Sequence, residues 1–194
     1  MLWRTDETVA QQSPEPTAVG AVSSAVAVHA ESRRWLSYVR PPRHTEFMSE
    51  TNYWDQIDEA FDKVDIYETY DVFKQGASEY PDWKIDMLAV HWTVSEILNG
   101  GLRQFFGNST GILAPEALLG FERIGLPELA STLRSAMSLV GEPYPRERKQ
   151  REDCLAALIA TKTKKVFDEM DDLFIQSDMV VQEALNKYAS SKVA

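Results

Sequence analysis

The chain has 194 residues, of which 44% are hydrophobic, and its 30 acidic residues outnumber its 20 basic ones to give a formal net charge of −10. This length and composition suit one domain with a buried core, whereas the negative charge argues against direct binding to nucleic acid or to an anionic membrane. The single cysteine, Cys154, excludes an internal disulfide and favours a reducing, cytoplasmic compartment, and no apolar stretch is long enough to span a bilayer.

The negative charge is concentrated in one part of the chain. Residues 1–47 carry five acids and five bases, so they contribute no net charge. Residues 48–100 contain 12 acids against three lysines and therefore hold −9 of the −10. The electrostatic expectation is a partner with a basic surface.

Residues 1–47 predict a disordered N-terminal tail rather than a domain. Their Ala/Val/Ser run lacks a helical or strand period, and four prolines interrupt the segment. Two alternatives stay open. The apolar run at 18–30 is a candidate secretory signal, although Asp6, Glu7 and Glu15 precede it. Because Met48 opens a stretch that reads like an ordinary protein start, the tail is also a candidate start-site artefact.

From residue 48 onward, apolar residues recur at helical spacing, which predicts a single compact all-α domain, 48–194, of six to eight helices. The first predicted helix spans 50–64 and a short second one spans 66–74. Asp82 is the expected N-cap of a third helix that ends at Leu98. This third helix is apolar on two faces, Leu98 included, so we expect it at the centre of the domain, with Asn99-Gly100-Gly101 ending it.

The second half of the domain continues the helical pattern. Pro115 fits the first turn of a helix. Further helices are predicted over 127–140, over 155–174 with a break near Thr161, and from Asp178 onward. No alternating pattern indicates a strand.

The candidate catalytic and metal-binding residues do not group with one another along the sequence. Two of the three histidines fall in the tail, so the domain cannot assemble a histidine-based metal site. His91 lies among apolar residues and is interpreted as buried and hydrogen-bonded. The acidic run 168–172 lacks the spaced loop of an EF-hand and is interpreted as a solvated helix face, and Ser109 lacks a nucleophile-elbow pattern. We therefore predict a protein that is not an enzyme and uses no metal or cofactor.

Seven basic residues cluster over 146–165. A nucleic-acid patch is one interpretation, but Glu147, Glu152 and Asp153 dilute the cluster and no aromatic residues interleave it. We expect an exposed face that pairs with the acidic half of the domain, within or between subunits.

Carboxylates in the first predicted helix follow a regular spacing. Asp55, Asp58, Asp62 and Asp65 fall at steps of three, four and three, so they project from one helical face opposite the apolar residues. They cover on the order of 15 Å, a length in which one DNA strand carries roughly four to five phosphates. The spacing raises the hypothesis of DNA mimicry, with an ordinary solvated helix face as the alternative. The predicted partner-binding surface comprises Asp55, Asp58, Glu59, Asp62, Asp65, Glu68 and Asp71, with Glu79, Asp82 and Asp86 as a candidate extension.

A run of sequence after the third helix carries a family resemblance. The residues EILNGGLRQFFGNSTG at 96–111 resemble the signature of the DNA-mimic protein family, a bacterial group whose domain is also catalogued as one of unknown function. The runs FDEMDDLF at 167–174 and LNKY at 185–188 are similar to its C-terminal part. The resemblance covers about 82–188, with Leu102 where phenylalanine is usual.

The resemblance implies an all-helical, acidic, dimeric protein, and in one characterised member the carboxylates occupy the DNA-binding surface of a transcriptional repressor. Residues 1–47 have no counterpart in it. The motif itself is predicted to be structural, through a turn, two anchoring rings and polar side chains that satisfy backbone groups. Its alternative role is a small polar pocket for a ligand. The motif residues are Asn99, Gly100, Gly101, Gln104, Phe105, Phe106, Asn108 and Ser109.

Three functional hypotheses follow. The first is a cytoplasmic, homodimeric binding protein that blocks a basic DNA-binding protein such as a transcription regulator. The alternative is an interaction or immunity-type protein that inhibits a toxin or another partner without mimicking DNA. The third is an enzyme acting through a pocket at Gln104 and Asn108.

Overall fold

The computed structural model of the chain describes residues 52–161 and 165–193, and every regular element in these ranges is helical. A 3-10 segment, Ser109–Leu113, lies between the third and fourth α-helices. The predicted all-α class is confirmed, whereas the tail predicted for 1–47 lies outside the described residues. The α-helices are α1 (Tyr53–Lys63), α2 (Tyr70–Ala77), α3 (Asp82–Gly107), α4 (Ala114–Arg123), α5 (Pro127–Val140), α6 (Arg148–Thr161), α7 (Asp168–Gln176) and α8 (Asp178–Val193).

Helix α3 forms the centre of the domain, as its two apolar faces predict. It packs against α1, α4, α6 and α7, and all ten of its residues from 85 to 94 are buried. The expectation that Leu98 belongs to a buried face is wrong. Leu98 is 43% exposed, because the last turn before the glycines buries Ile97 and turns Leu98 to solvent.

The glycine pair interrupts α3 without ending it. Gly100 (φ −160°, ψ 19°) and Gly101 (φ 77°, ψ 176°) leave the helical conformation, and the helix resumes from Leu102 to Gly107. The positive φ of Gly101 favours glycine, as the sequence predicted. The predicted helix end is therefore a kink between two helical segments.

Two helix starts differ from the sequence expectation. Asp82 is the first residue of α3 and not its N-cap, because Pro81 is extended (φ −64°, ψ 144°) and takes the cap position. Helix α2 begins at Tyr70 rather than at 66, since Thr69 is extended and its hydroxyl accepts a hydrogen bond from the Val72 N–H at 3.4 Å. In both cases the residue before the helix, rather than the apolar period, sets the first turn.

Candidate functional site

Helix α1 is amphipathic because its apolar residues pack inward on one side. Its N-terminus is capped by Asn52, whose side-chain oxygen accepts a hydrogen bond from the Trp54 N–H at 3.0 Å. Its C-terminal turn carries Lys63, which complements the helix dipole. The buried residues of α1 are Tyr53, Trp54, Ile57, Ala60 and Phe61.

The carboxylates of α1 lie away from this buried side. Asp55, Glu59 and Asp62 are exposed, and Asp58 is half-buried. Helix α1 ends at Lys63, so Asp65 lies in the connection to α2 rather than on the same helical face. The structure therefore keeps three of the four regularly spaced aspartates on one helix.

The remaining predicted carboxylates continue along the chain into α2. Asp65 accepts a hydrogen bond from the Tyr67 N–H at 2.8 Å, which fixes the turn after α1. Glu68 is exposed in the connection, and Asp71 is exposed in the first turn of α2. The predicted surface is thus one helix face followed by a loop and a second helix start. We call residues 55–71 the acidic segment.

Two lysines partly neutralise the acidic segment. Lys63 Nζ lies 2.7 Å from Glu59 Oε1, and Lys74 Nζ lies 3.1 Å from Asp71 Oδ1. The hydrogen bond and charge of Lys63 lower the pKa of Glu59. Both pairs are exposed, so solvent screens them and each holds its carboxylate only weakly.

Asp86 does not extend this surface, contrary to the sequence expectation. It is 4% exposed, and its Oδ2 lies 2.5 Å from Arg123 Nη1 of α4. Burial raises its pKa, although the hydrogen bond and charge of Arg123 act in the opposite direction. The helices approach closely because Gly120 of α4 lies against α3, where a Cβ would meet Val90 Cγ2 at 2.7 Å. Asp86 therefore ties α3 to α4.

The polar side chains of the family motif converge on one carboxylate, Glu96 of α3. Its Oε2 accepts hydrogen bonds from Gln104 Nε2 and Asn108 Nδ2, both at 2.9 Å, and its Oε1 accepts one from Thr110 Oγ1 at 3.2 Å. A Cβ at Gly100 would lie 2.1 Å from Gln104 Oε1, so the glycine leaves room for this amide. The two amide groups suggested for a ligand pocket are thus engaged within the chain.

The other motif residues occupy the kink and the core. Asn99 is exposed in the turn before Gly100, and Ser109 is half-buried at the start of the 3-10 segment. Phe105 and Phe106 are both 0% exposed. The two rings anchor the second segment of α3 in the core.

Arg151 was expected in an exposed basic cluster and is instead 1% exposed. Its guanidinium donates hydrogen bonds to the carbonyl oxygens of Phe106 and Asn108, both at 2.8 Å, and to the carbonyl of Arg146. Burial lowers its pKa. The end of α3 presents unpaired carbonyls, and these attract the cation into the interior.

Asp171 fixes the kink from the opposite side. Its Oδ1 accepts a hydrogen bond from the Leu102 N–H at 2.7 Å, the first amide after the kink, so a residue of α7 acts as a cap for the second segment of α3. Burial raises its pKa. The interpretation of 168–172 as a wholly solvated face is wrong at this residue. The sequence signal for this cap is that the helix resumes at Leu102 directly after two glycines, which offer no capping side chain of their own.

Three bases of the basic cluster pair with acids outside the acidic segment. Arg148 lies 2.9 Å from Glu152 and donates to the Gly107 carbonyl at 3.0 Å, and Lys149 pairs with Asp153. Arg146 is half-buried and lies 2.6 Å from Glu116 of α4. The spacing of four residues in α6 permits the first two pairs. For these three bases the expected pairing within one chain is wrong, and pairing between subunits stays a prediction.

A family model described as DMP19-like protein matches residues 78–192, more than half of the chain. The chain belongs to the DMP19-like family. A search of curated proteins and a search of solved structures each gave no match.

The DMP19-like match covers the kink and the residues that hold it, including Glu96, Gln104, Arg151 and Asp171. The acidic segment precedes the matched residues. The family match therefore covers the kink and does not reach the acidic segment.

The described residues of this DMP19-like chain were also compared with what a metal site and a membrane-spanning helix require. Within 52–161 and 165–193, no group of three or more His, Cys, Asp or Glu residues is arranged to hold a metal ion. Among the helices described, none combines the length and the apolar character needed to cross a membrane.

Proposed function

We propose that this chain is a non-enzymatic binding protein whose acidic segment occupies the DNA-binding surface of a basic protein, such as a transcription regulator. The observation that carries the proposal is the arrangement of Asp55, Asp58 and Asp62 on α1, opposite its buried apolar side. The same helix is thus anchored by one side and charged on the other.

The spacing of these charges supports mimicry of a phosphate backbone. An α-helix rises about 1.5 Å per residue, so successive carboxylates at steps of three and four lie about 5–6 Å apart along α1. One strand of DNA carries a phosphate about every 3.4 Å, and Glu59 beside the aspartates brings the charge density of α1 close to that value. Basic side chains placed to meet phosphates can therefore meet these carboxylates.

Membership of the DMP19-like family is consistent with this role. The resemblance found in the sequence also implies a homodimer, and a cytoplasmic location fits a partner that binds DNA. Both belong to the proposal.

The proposal is tested by affinity capture of partners from a lysate, with and without competing duplex DNA. We expect a basic DNA-binding protein that is retained at low salt and displaced by the duplex, because both ligands would use the same surface. The captured protein is then titrated against the variant Asp55→Asn/Asp58→Asn/Asp62→Asn/Asp65→Asn, which should bind weakly.

A matched control removes the same amount of charge elsewhere. Glu128, Glu142, Glu147 and Glu169 are exposed and lie outside the acidic segment. Their joint substitution by glutamine should leave binding within about threefold, because only general electrostatic attraction is reduced. Equal losses of affinity in the two quadruple variants would show that net charge alone accounts for binding and would contradict mimicry.

A second candidate function, inhibition of a protein without DNA mimicry, is favoured by three exposed apolar side chains. Ile175, Met179 and Val180 at the junction of α7 and α8 are 50%, 69% and 51% exposed. Exposed apolar residues of this kind often anchor protein partners. This candidate predicts that duplex DNA does not displace the partner and that Met179→Glu weakens its binding.

A further inference from the structure

His91 lies where α1 docks on α3. The ring centroids of Trp54, Phe61 and Tyr53, all on α1, lie 5.0, 5.9 and 6.0 Å from that of His91. The ring of Trp92, the next residue of α3, lies 6.4 Å away. The interpretation of His91 as a buried, hydrogen-bonded residue is confirmed, and its neighbours are the apolar anchors of the helix that carries the acidic face.

One nitrogen of the His91 ring has a hydrogen-bond partner among the described residues and the other has none. Tyr53 Oη lies 3.0 Å from His91 Nδ1, and which of the two groups donates depends on the imidazole tautomer. Nε2 is buried without a hydrogen-bond partner in the described part of the chain.

A second proton on His91 would conflict with this arrangement. The imidazolium donates from both nitrogens, so its Nε2–H would be buried with no acceptor among the described residues, and its positive charge would lie among aromatic rings. The titratable groups on this side are Tyr53 of α1 and, beyond it, Asp178 of α8, whose charge raises the Tyr53 pKa. Burial raises the Tyr53 pKa to about 12 and lowers the His91 pKa to about 4, so neutral forms of both are favoured.

We propose that His91 is a proton-operated latch, whose neutral ring holds α1 in place and whose protonation releases α1 together with Asp55, Asp58 and Asp62. The release is local, because α1 packs on α3 and α8 while α3 keeps its contacts with α4, α6 and α7. The latch is a property of the free protein. Its test needs no partner, so its failure is distinguishable from failure of the proposed function.

The experiment is hydrogen exchange of the free protein, followed by mass spectrometry from pH 7 to pH 4 and corrected for intrinsic exchange. In the wild type we expect peptides of α1 (53–63) to lose at least tenfold in protection with a midpoint well below pH 6.5, while peptides of α5 (127–140) stay protected. In His91→Phe, which cannot take up a proton, the α1 transition should disappear or move to lower pH. Coincident wild-type and variant midpoints would assign the release to the surface carboxylates and overturn the proposal.

A second variant keeps the test decisive if His91→Phe does not fold. His91→Asn also cannot take up a proton and is smaller than phenylalanine, so the α1 transition should again disappear or move to lower pH. An unchanged transition in His91→Asn would contradict the latch. A His91 ring proton that titrates near 6.5 by NMR would also contradict it, because the surrounding rings would then be stabilising the cation. Simultaneous loss of protection in α1 and α5 would show global unfolding and overturn it as well.

Discussion

The acidic segment and the kinked end of α3 use their polar residues in opposite ways. Asp55 and Glu68 are exposed to solvent. At the kink, Gln104 and Asn108 both donate to Glu96, and Arg151 donates to carbonyls in the interior. The first region carries exposed charge, whereas the second uses its polar groups to hold the chain in place.

The two regions also differ in whether the family match covers them. The DMP19-like match begins at residue 78 and contains the kink, whereas the acidic segment ends at residue 71. Substitutions at the kink should therefore reduce stability, and substitutions in the acidic segment should reduce binding.

The largest loss of stability is expected for Arg151→Leu. This substitution leaves the carbonyls of Phe106, Asn108 and Arg146 without their donor, and a buried unsatisfied network of this size should cost about 3–5 kcal/mol. Urea unfolding followed by circular dichroism measures the loss. Lys149→Leu is the control on the same helix, since Lys149 is exposed, pairs with Asp153 of α6 and should leave the unfolding free energy nearly unchanged. Similar losses in both variants would refute the special role of Arg151.

Acidification should destabilise the domain through protonation of His91, which lies where α1 packs on α3. Burial lowers the folded-state pKa of His91 from 6.5 to about 4, so the unfolded chain binds its proton first as the pH falls. The His91 contribution to stability is therefore complete above pH 6.5 and is lost between pH 6.5 and 4. The loss amounts to about 3 kcal/mol at 1.36 kcal/mol per pKa unit.

The measurement is the free energy of unfolding against pH for the wild type and His91→Phe. The wild-type curve should fall more steeply over this window. Parallel curves would contradict the assignment to His91.

Gly101→Ala should destabilise the kink by about 1–3 kcal/mol. Gly101 has a φ of 77°, and a Cβ there would lie 2.5 Å from Asp171 Oδ2, the carboxylate that caps Leu102. Thermal unfolding measures the change. Gly107→Ala is the matched control, because Gly107 is helical and its Cβ would meet Leu155 Cδ1 at an ordinary 3.8 Å. An equal loss at Gly107 would contradict the account of the kink.

The smallest effect on stability is expected for the quadruple Asp→Asn variant of the acidic segment. The aspartates of α1 lie away from the core, and asparagine at position 65 can still accept the hydrogen bond from the Tyr67 N–H. Removing like charges also relieves repulsion, so the unfolding free energy should change by no more than about 1 kcal/mol. Urea unfolding at low and high salt measures it. A loss comparable to that of Arg151→Leu would show that these carboxylates are structural.

The sequence predicted those features that depend on neighbouring residues. Helix α5 has the predicted bounds, from Pro127 to Val140, because a proline start, a regular apolar period and Gly141 all act locally. The turn at Gly100-Gly101 was predicted from the glycines for the same reason. Features set by distant partners were missed.

Arg151 and Asp86 illustrate these distant partners. Each carries a charge that the pattern assigns to the surface, and each is buried by groups 30 to 50 residues away, namely carbonyls of the α3 end and the guanidinium of Arg123. Helical periodicity contains no information about such pairs. Asp65 is not on the predicted helical face for a different reason, since Val64 is extended (φ −77°, ψ 113°) and α1 ends at Lys63, two residues before Asp65.

The most direct test of the central claim is the dissociation constant of the captured partner for three proteins at two salt concentrations. These are the wild type, the Asp55/Asp58/Asp62/Asp65→Asn variant and the Glu128/Glu142/Glu147/Glu169→Gln control. The account predicts on the order of 100-fold weaker binding and a smaller salt dependence for the Asn variant alone. Unchanged affinity of the Asn variant, or an equal loss in the control, would contradict it.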